Sequence, residues 1–528
     1  MSEKYIFSTF YNYFLWKNKI NTVIIDTNSL LLIKQSKIVL YTLGGIIMRK
    51  TKIICTLGPS TDDPIIMKKL MKEGMNVARF NFSHGTHQEH LDRLKMVQRC
   101  RTELGLWVAT MLDTKGPEIR VGLFKDGPIY LNEGDRFTLT TEEIEGTKEK
   151  AHVRYKDFPR DVVVGTRVLF DDGLIESIVE EINGEEVVVK IMNGGKLSNN
   201  KGINVPDVKL SMPFVSEKDR NDIIFGIENG FDFIALSFTR CKEDVLEVRK
   251  ILEEHGCTDM RIIAKLENAE GVEKLDEILE VVDAIMVARG DMGVEIPFME
   301  IPRLQKEIIH KCFNSGKPAI TATQMLDSMI EKPRPTRAEV TDVANAIYDG
   351  TSAIMLSGET AAGKYPVEAV KTMAAIAIAT EDNIDYNAEL RARDYGTGLT
   401  VTDAVAHSAC SISMDIGADA IVTVTQSGYT ARNISKYRPG LPIIGCTDTE
   451  QAARHLALSW GVTPVLMSTV RSTDELIDLS IAAAIKEKLL EEGQTVVVTA
   501  GVPVGVSGST NILKVQTVGK ISLGHLKL

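Results

Sequence analysis

The chain has 528 residues, 61 basic and 72 acidic side chains and a formal net charge of −11, with 44% hydrophobic and 25% charged residues. That length suffices for three or four domains with large cores, and the composition excludes a disordered chain. The acidic balance excludes a broadly nucleic-acid-binding surface but leaves room for a local basic pocket that takes phosphate. Seven scattered cysteines (Cys55, Cys100, Cys241, Cys257, Cys312, Cys410 and Cys446) form no Cys-x-x-Cys pair and read as reduced, mostly core thiols of a cytoplasmic protein.

Residues 1–47 differ in composition from the rest of the chain, with no Ala, Arg or Pro and many Ile, Leu, Tyr, Asn and Lys. Their longest uncharged run, 5–16, is too short and too polar for a membrane anchor. No basic start and small-residue cleavage site marks a secretory signal. The bias is that of AT-rich untranslated DNA read as protein, and GGAGGN, a ribosome-binding sequence, encodes the pair Gly44-Gly45 two codons before Met48. The expectation is a natural start at Met48 and a non-native extension over 1–47, the alternative being a genuine, weakly ordered one.

From Met48, short apolar runs alternate with helical patterns: 52–56, 76–80, 108–112, 233–236, 261–266, 284–287, 319–323 and 353–356. Eight such units with near-continuous apolar strands predict a (β/α)8 TIM barrel over 48–116 and 213–389, a doubly wound sheet being the alternative. Residues 117–212 break the rhythm, with strands expected at 162–170, 175–182 and 186–191 between Gly and Asn turns, so a β domain is inserted after the third barrel strand. Alternation resumes over 390–528, with runs at 420–425, 442–446 and 495–500, which predicts a separate C-terminal α/β domain.

Active sites of such barrels sit at the C-terminal strand ends. The second strand runs out into Arg79, Asn81, Ser83 and His84, and the third into Asp113, Thr114 and Lys115. The fifth gives Lys265 and Glu267, the sixth Arg289, Gly290 and Asp291, the seventh Thr321, Thr323 and Gln324, and the eighth Ser357 and Glu359. Lys265 and Glu267, two apart on a strand, point to one side. Two carboxylates, Glu267 and Asp291, suit Mg²⁺, which prefers hard oxygen donors. A cation beside them suits phosphoryl transfer, where charge spread over oxygens must be neutralised. Any one such pair alone reads as a solvated loop or a structural ion pair; six strand ends in agreement favour a site. The stretch 358–364 begins like a P-loop, but Tyr365 follows where a metal-binding hydroxyl belongs. His87 and His90 read as exposed helix residues.

Four stretches resemble the pyruvate kinase family: Ile262-Ile263-Ala264-Lys265-Leu266-Glu267-Asn268-Ala269-Glu270-Gly271, Asn81-Phe82-Ser83-His84-Gly85, Asp113-Thr114-Lys115-Gly116-Pro117-Glu118-Ile119-Arg120 and Ala288-Arg289-Gly290-Asp291. The resemblance runs from Met48 to the end. It implies a TIM barrel with an inserted β-barrel lid domain and a C-terminal effector domain, of the bacterial type without an extra C-terminal domain. Phosphoryl transfer from phosphoenolpyruvate to ADP is implied with it, as the final step of glycolysis, in a cytoplasmic homotetramer. By the same resemblance Lys265, Thr323 and Arg79 are catalytic, and Arg79, Lys265, Gly290, Asp291 and Thr323 bind the substrate. His84, Arg120 and Lys201 bind the nucleotide, Glu267 and Asp291 hold Mg²⁺ or Mn²⁺, and Asn81, Ser83, Asp113 and Thr114 hold K⁺. Glu118 stands where members that work without K⁺ carry Lys, which implies K⁺ dependence. Two competing classes are another enolate enzyme on the same barrel, which Arg120 and Lys201 disfavour, and an inactive sensor, which the intact Lys265 set disfavours.

The turn Thr425-Gln426-Ser427-Gly428-Tyr429-Thr430 joins a strand to a helix and reads as a phosphate cradle, with Arg432 nearby. Thr425, Ser427, Gly428 and Thr430 match the family's effector loop. The facing loop 501–510 carries no Arg or Lys. An effector with one dominant phosphate, a sugar monophosphate or AMP, is therefore favoured over fructose 1,6-bisphosphate.

Overall fold

The computed structural model describes residues 49–392, 399–469, 472–503, 508 and 510–519. The expected extension over 1–47 lies outside the described residues. Eight parallel strands close a barrel: Lys52–Thr56, Val77–Asn81, Ala109–Asp113, Phe233–Leu236, Arg261–Leu266, Ala284–Ala288, Ala319–Ala322 and Ala353–Leu356. Side-chain alternation divides each strand between two cores. Ile54, Val77, Met111, Ile263 and Met286 fill the barrel interior, whereas Ile53, Cys55, Ile262 and Ala264 pack outward against the helices. The seventh strand stops at Ala322, one residue before the expected end, because Thr323 and Gln324 turn into left-handed backbone at φ 67° and 54°.

The insertion has a two-stranded sheet of Ile129–Leu131 and Gly195–Leu197 and a seven-stranded sheet whose first and last strands, Ile119–Arg120 and Lys150–His152, are joined by the bridge Val121–Val153. Gly122 N–H donates to His152 O at 2.8 Å and Arg154 N–H to Arg120 O at 2.9 Å across that seam. The sheet thus curls on itself around Phe137, Phe158, Phe170 and Val187. Only Arg167–Phe170 of the expected strand 162–170 forms, since a turn from Val163 O to Thr166 N–H precedes it.

The C-terminal part is a five-stranded sheet, parallel except for its last strand Ile512–Thr517. It seats on the N-terminal end of the barrel. Lys52 Nζ donates to Val462 O at 2.7 Å, Arg454 pairs with Asp232 at 2.7 Å, and Ala457 and Leu458 join the interior core. No helix among the described residues is long and apolar enough to cross a membrane.

Candidate active site

Lys265 ends the interior row of the fifth strand, after Ile263, and is 7% exposed. Its Nζ lies 3.1 Å from Asp113 Oδ1 and 2.9 Å from Glu267 Oε1, and donates to Ser237 Oγ at 2.7 Å. The same periodicity that fills the barrel thus aims Lys265 and Glu267 into its mouth. Asp113 also takes Arg79 Nε at 2.5 Å, while Arg79 Nη1 donates to Thr56 Oγ1 at 2.9 Å. Burial alone would raise Asp113, but Arg79 and Lys265 hold it below the usual carboxylate range. Burial would likewise lower Lys265, yet Asp113 and Glu267 reverse that and keep it protonated.

Burial pushes Glu267 up to about 7, with Asp291 adding to the rise and Lys265 opposing it. Asp291 is raised too, first by burial, with Lys265 opposing and the inserted domain's Asp172 adding to the rise. Two neighbouring carboxylates, both destabilised as anions and sharing one ammonium, fit a divalent cation bound through oxygen. Among the described residues no group of three or more His, Cys, Asp and Glu side chains could hold a metal, so such an ion needs further oxygens beyond this pair.

The sixth strand leads into the helix Arg289–Glu295. Gly290 N–H donates to Thr323 Oγ1 at 2.7 Å, and that hydroxyl donates to Ala322 O at 2.6 Å. Arg289 fixes the left-handed turn through Thr323 O at 2.8 Å and is itself held by Asp342 at 2.7 Å. Glu267 Oε2 similarly accepts the N–H of Phe238, whose φ is 57°, at 2.7 Å. Left-handed non-glycine backbone at the mouth is strain of about 1–3 kcal/mol per residue, held by these bonds.

Asn81 and Asp113 are register partners on adjacent strands, and Phe82 N–H donates to Asp113 O at 2.9 Å. Asn81 Oδ1 accepts Ser83 N–H at 3.1 Å, and Thr114 Oγ1 accepts Ser237 N–H at 3.2 Å. The four expected K⁺ ligands thus stand on two adjoining strand ends, all offering oxygen. His84 is exposed. Arg120 and Lys201 meet where the strands Ile119–Arg120 and Gly202–Asn204 pair antiparallel, and Val121 N–H donates to Lys201 O at 2.9 Å. Arg120 is paired with Glu118 at 2.8 Å and Lys201 with Asp171 at 2.7 Å.

In the C-terminal part Gly428, with φ 81°, precedes the helix Tyr429–Lys436, and Thr510 Oγ1 lies 2.9 Å from Thr430 Oγ1, so the two loops touch. Thr425 and Thr430 are buried. Residues 504–507 and 509 of the facing loop lie outside the described residues. Arg432, expected beside the cradle, is half-buried and donates to Ser427 O at 3.0 Å, and desolvation lowers it to about 10.

Three sequence expectations need correction. His90 is 4% exposed, stacked on Phe82 at 4.1 Å between ring centres, because 90, 94 and 97 share the inner face of the helix His87–Leu104. Thr321 donates to Thr351 Oγ1, ahead of the eighth strand, instead of serving the mouth. The first and fourth strand ends, passed over in the sequence, supply Thr56 and Ser237. A hydroxyl following each apolar run was the available signal.

Fold and site together define a class: a (β/α)8-barrel enzyme whose mouth sets Lys265 and Arg79 against the buried carboxylates of Asp113 and Glu267. Residues 48–370 match the family described as pyruvate kinase, barrel domain, and 403–516 the pyruvate kinase alpha/beta domain. The chain is 51% identical over 475 residues to the pyruvate kinase of Geobacillus stearothermophilus, covering 90% of this chain and 81% of that one. It is 50% identical over 472 residues to that of Clostridium acetobutylicum, covering 89% and 100%. A crystal structure of a pyruvate kinase from Cryptosporidium parvum superposes with a TM-score of 0.84 at 39% identity, covering 90% of this chain and 97% of that one. The chain belongs to the pyruvate kinase family and is a phosphotransferase.

Proposed function

We propose that the chain transfers the phosphoryl group of phosphoenolpyruvate to ADP, giving pyruvate and ATP, in a cytoplasmic homotetramer that requires Mg²⁺ or Mn²⁺ together with K⁺. The observation that carries this reading is Lys265, set among Asp113, Glu267 and Ser237 beside Asp291. Arg79 binds the substrate phosphate, and Gly290, Asp291 and Thr323 hold its carboxylate end. The P–O bond to the enolate oxygen breaks as one to the terminal oxygen of ADP forms. Lys265 balances charge on the phosphoryl oxygens in between. Bound at Glu267 and Asp291, a divalent ion supplies further positive charge to those oxygens, and K⁺ at Asn81, Ser83, Asp113 and Thr114 adds a second clamp. The enolate then takes a proton at carbon, with the Thr323 hydroxyl orienting water for that step.

His84, Arg120 and Lys201 bind the nucleotide. The last two belong to the inserted domain, which acts as a lid that excludes water. A phosphorylated effector with one dominant phosphate binds at Thr425, Ser427, Gly428 and Thr430 and shifts an equilibrium between tetramer states. A coupled pyruvate assay with ADP tests the reaction, repeated with K⁺ replaced by a bulky organic cation and after divalent-ion chelation. Activity should vanish on chelation and collapse without K⁺. Sugar monophosphates and AMP should lower the half-saturating phosphoenolpyruvate concentration; a response to fructose 1,6-bisphosphate alone would refute the effector assignment.

A further inference from the structure

The helix Glu217–Glu228, which comes after the inserted domain, opens against both strand ends that carry the proposed K⁺ ligands. Its cap Ser216 donates to Asp219 Oδ2 at 2.6 Å. The other oxygen of Asp219 accepts the N–H groups of Lys115 and Gly116 at 3.1 and 3.2 Å, directly after Asp113 and Thr114. One residue earlier, Lys218 Nζ donates at 2.8 Å to the carbonyl of Phe82, which lies between Asn81 and Ser83. Asp222 Oδ2 accepts from that ammonium at 2.6 Å, and Asp222 Oδ1 lies 2.6 Å from His87 Nε2. Asp219 and Asp222 are each 2% exposed, and neither has a part in the proposed phosphoryl transfer.

We propose that the first two turns of this helix position the monovalent-cation site, with Lys218 and Asp219 as positioning residues for its two halves. The inference rests on the ligand assignment in the proposed function. Discrimination among monovalent cations depends on the number and spacing of oxygens, so a carbonyl or loop free to drift blurs it. Asp219 pins the half that holds Asp113 and Thr114. Lys218 fixes the peptide that aims Asn81 and Ser83. The carboxylate of Asp222 balances the Lys218 ammonium, so the carbonyl is held without net repulsion of a cation near by. Gly116 lets the loop approach Ser237 this closely, since its φ is 72° and a Cβ there would lie 2.8 Å from Ser237 O.

The test uses the full chain and follows the K⁺-dependent rise in Tm, at ionic strength held constant with tetramethylammonium chloride, alongside the K⁺ dependence of pyruvate formation. Lys218→Met should raise the K⁺ concentration that half-saturates both by about tenfold, as expected for loss of a charged hydrogen bond. It should also weaken discrimination between K⁺ and Na⁺, and Lys218→Arg should restore part of each. A Met variant whose Tm falls equally at every K⁺ concentration, with wild-type half-saturation, would show a purely structural role and overturn the inference. A wild-type chain indifferent to K⁺ in both readouts would overturn the ligand assignment itself, and this inference with it.

Discussion

Lys265 faces two buried carboxylates at contact distance, and Arg79 shares only one of them. The ammonium is therefore held protonated in a place where an uncharged side chain would pack more cheaply, as the proposed role in phosphoryl transfer requires. Replacing it by Met removes the charge but keeps most of the volume. Steady-state assays on Lys265→Met should find kcat reduced about 10²–10³-fold or more, with far-UV circular dichroism unchanged. Near-wild-type turnover would refute the role given to Lys265. The residue scale also shows what sequence patterns cannot carry. The spacing of Lys265 and Glu267 was legible because strand periodicity decides it. Their partners Asp113 and Ser237 come from strands 28 or more residues away. Only closure of the barrel brings them together.

At the scale of elements, apolar runs bounded by polar residues located the strands well wherever the backbone stayed regular. Arg261–Leu266 and Phe233–Leu236 form as read. The reading overran at the seventh strand because no residue type in Thr323-Gln324 announces two successive left-handed conformations; Arg289 and Asp342 impose them from elsewhere. Glu359 plays the same part after the eighth strand. Buried at 2% exposure, it accepts the N–H of Leu326 at 3.0 Å and of Ser357 at 2.7 Å, joining the loops at the ends of the seventh and eighth strands. Glu359→Gln keeps the shape but turns one acceptor into a donor aimed at a donor. It should cost about 1–3 kcal/mol, read as a lowered urea midpoint at unchanged m-value.

For the whole molecule, the barrel works at one end and carries the C-terminal domain at the other. His455 lies in that second contact, 7% exposed, edge-on to Phe233 at 5.4 Å, with no hydrogen-bond partner for its Nε2 among the described residues. Burial lowers it to about 4, with Asp232 opposing. An unfolded chain protonates this ring near its ordinary value of about 6.5, so between pH 6.5 and 4 the unfolded state binds more protons and stability falls as pH falls. This one ring should cost about 2 kcal/mol by pH 5. The drop in Tm from pH 7 to pH 5 should therefore be smaller in His455→Phe than in the wild type. Equal drops would remove His455 as the cause.

The seam Val121–Val153 has a bearing on handling the protein in solution. An open seven-stranded sheet presents two rows of unpaired backbone groups, each a template for pairing with a second molecule. Here the first and last strands satisfy one another. An inserted domain that swings away from the barrel therefore offers neighbouring chains no bare edge of this sheet to extend, and only the three-residue strands Ile129–Leu131 and Gly195–Leu197 of a separate ribbon stay open. Deleting the short strand Lys150–His152 would undo that protection, and oligomers joined edge to edge are the expected result on size-exclusion chromatography.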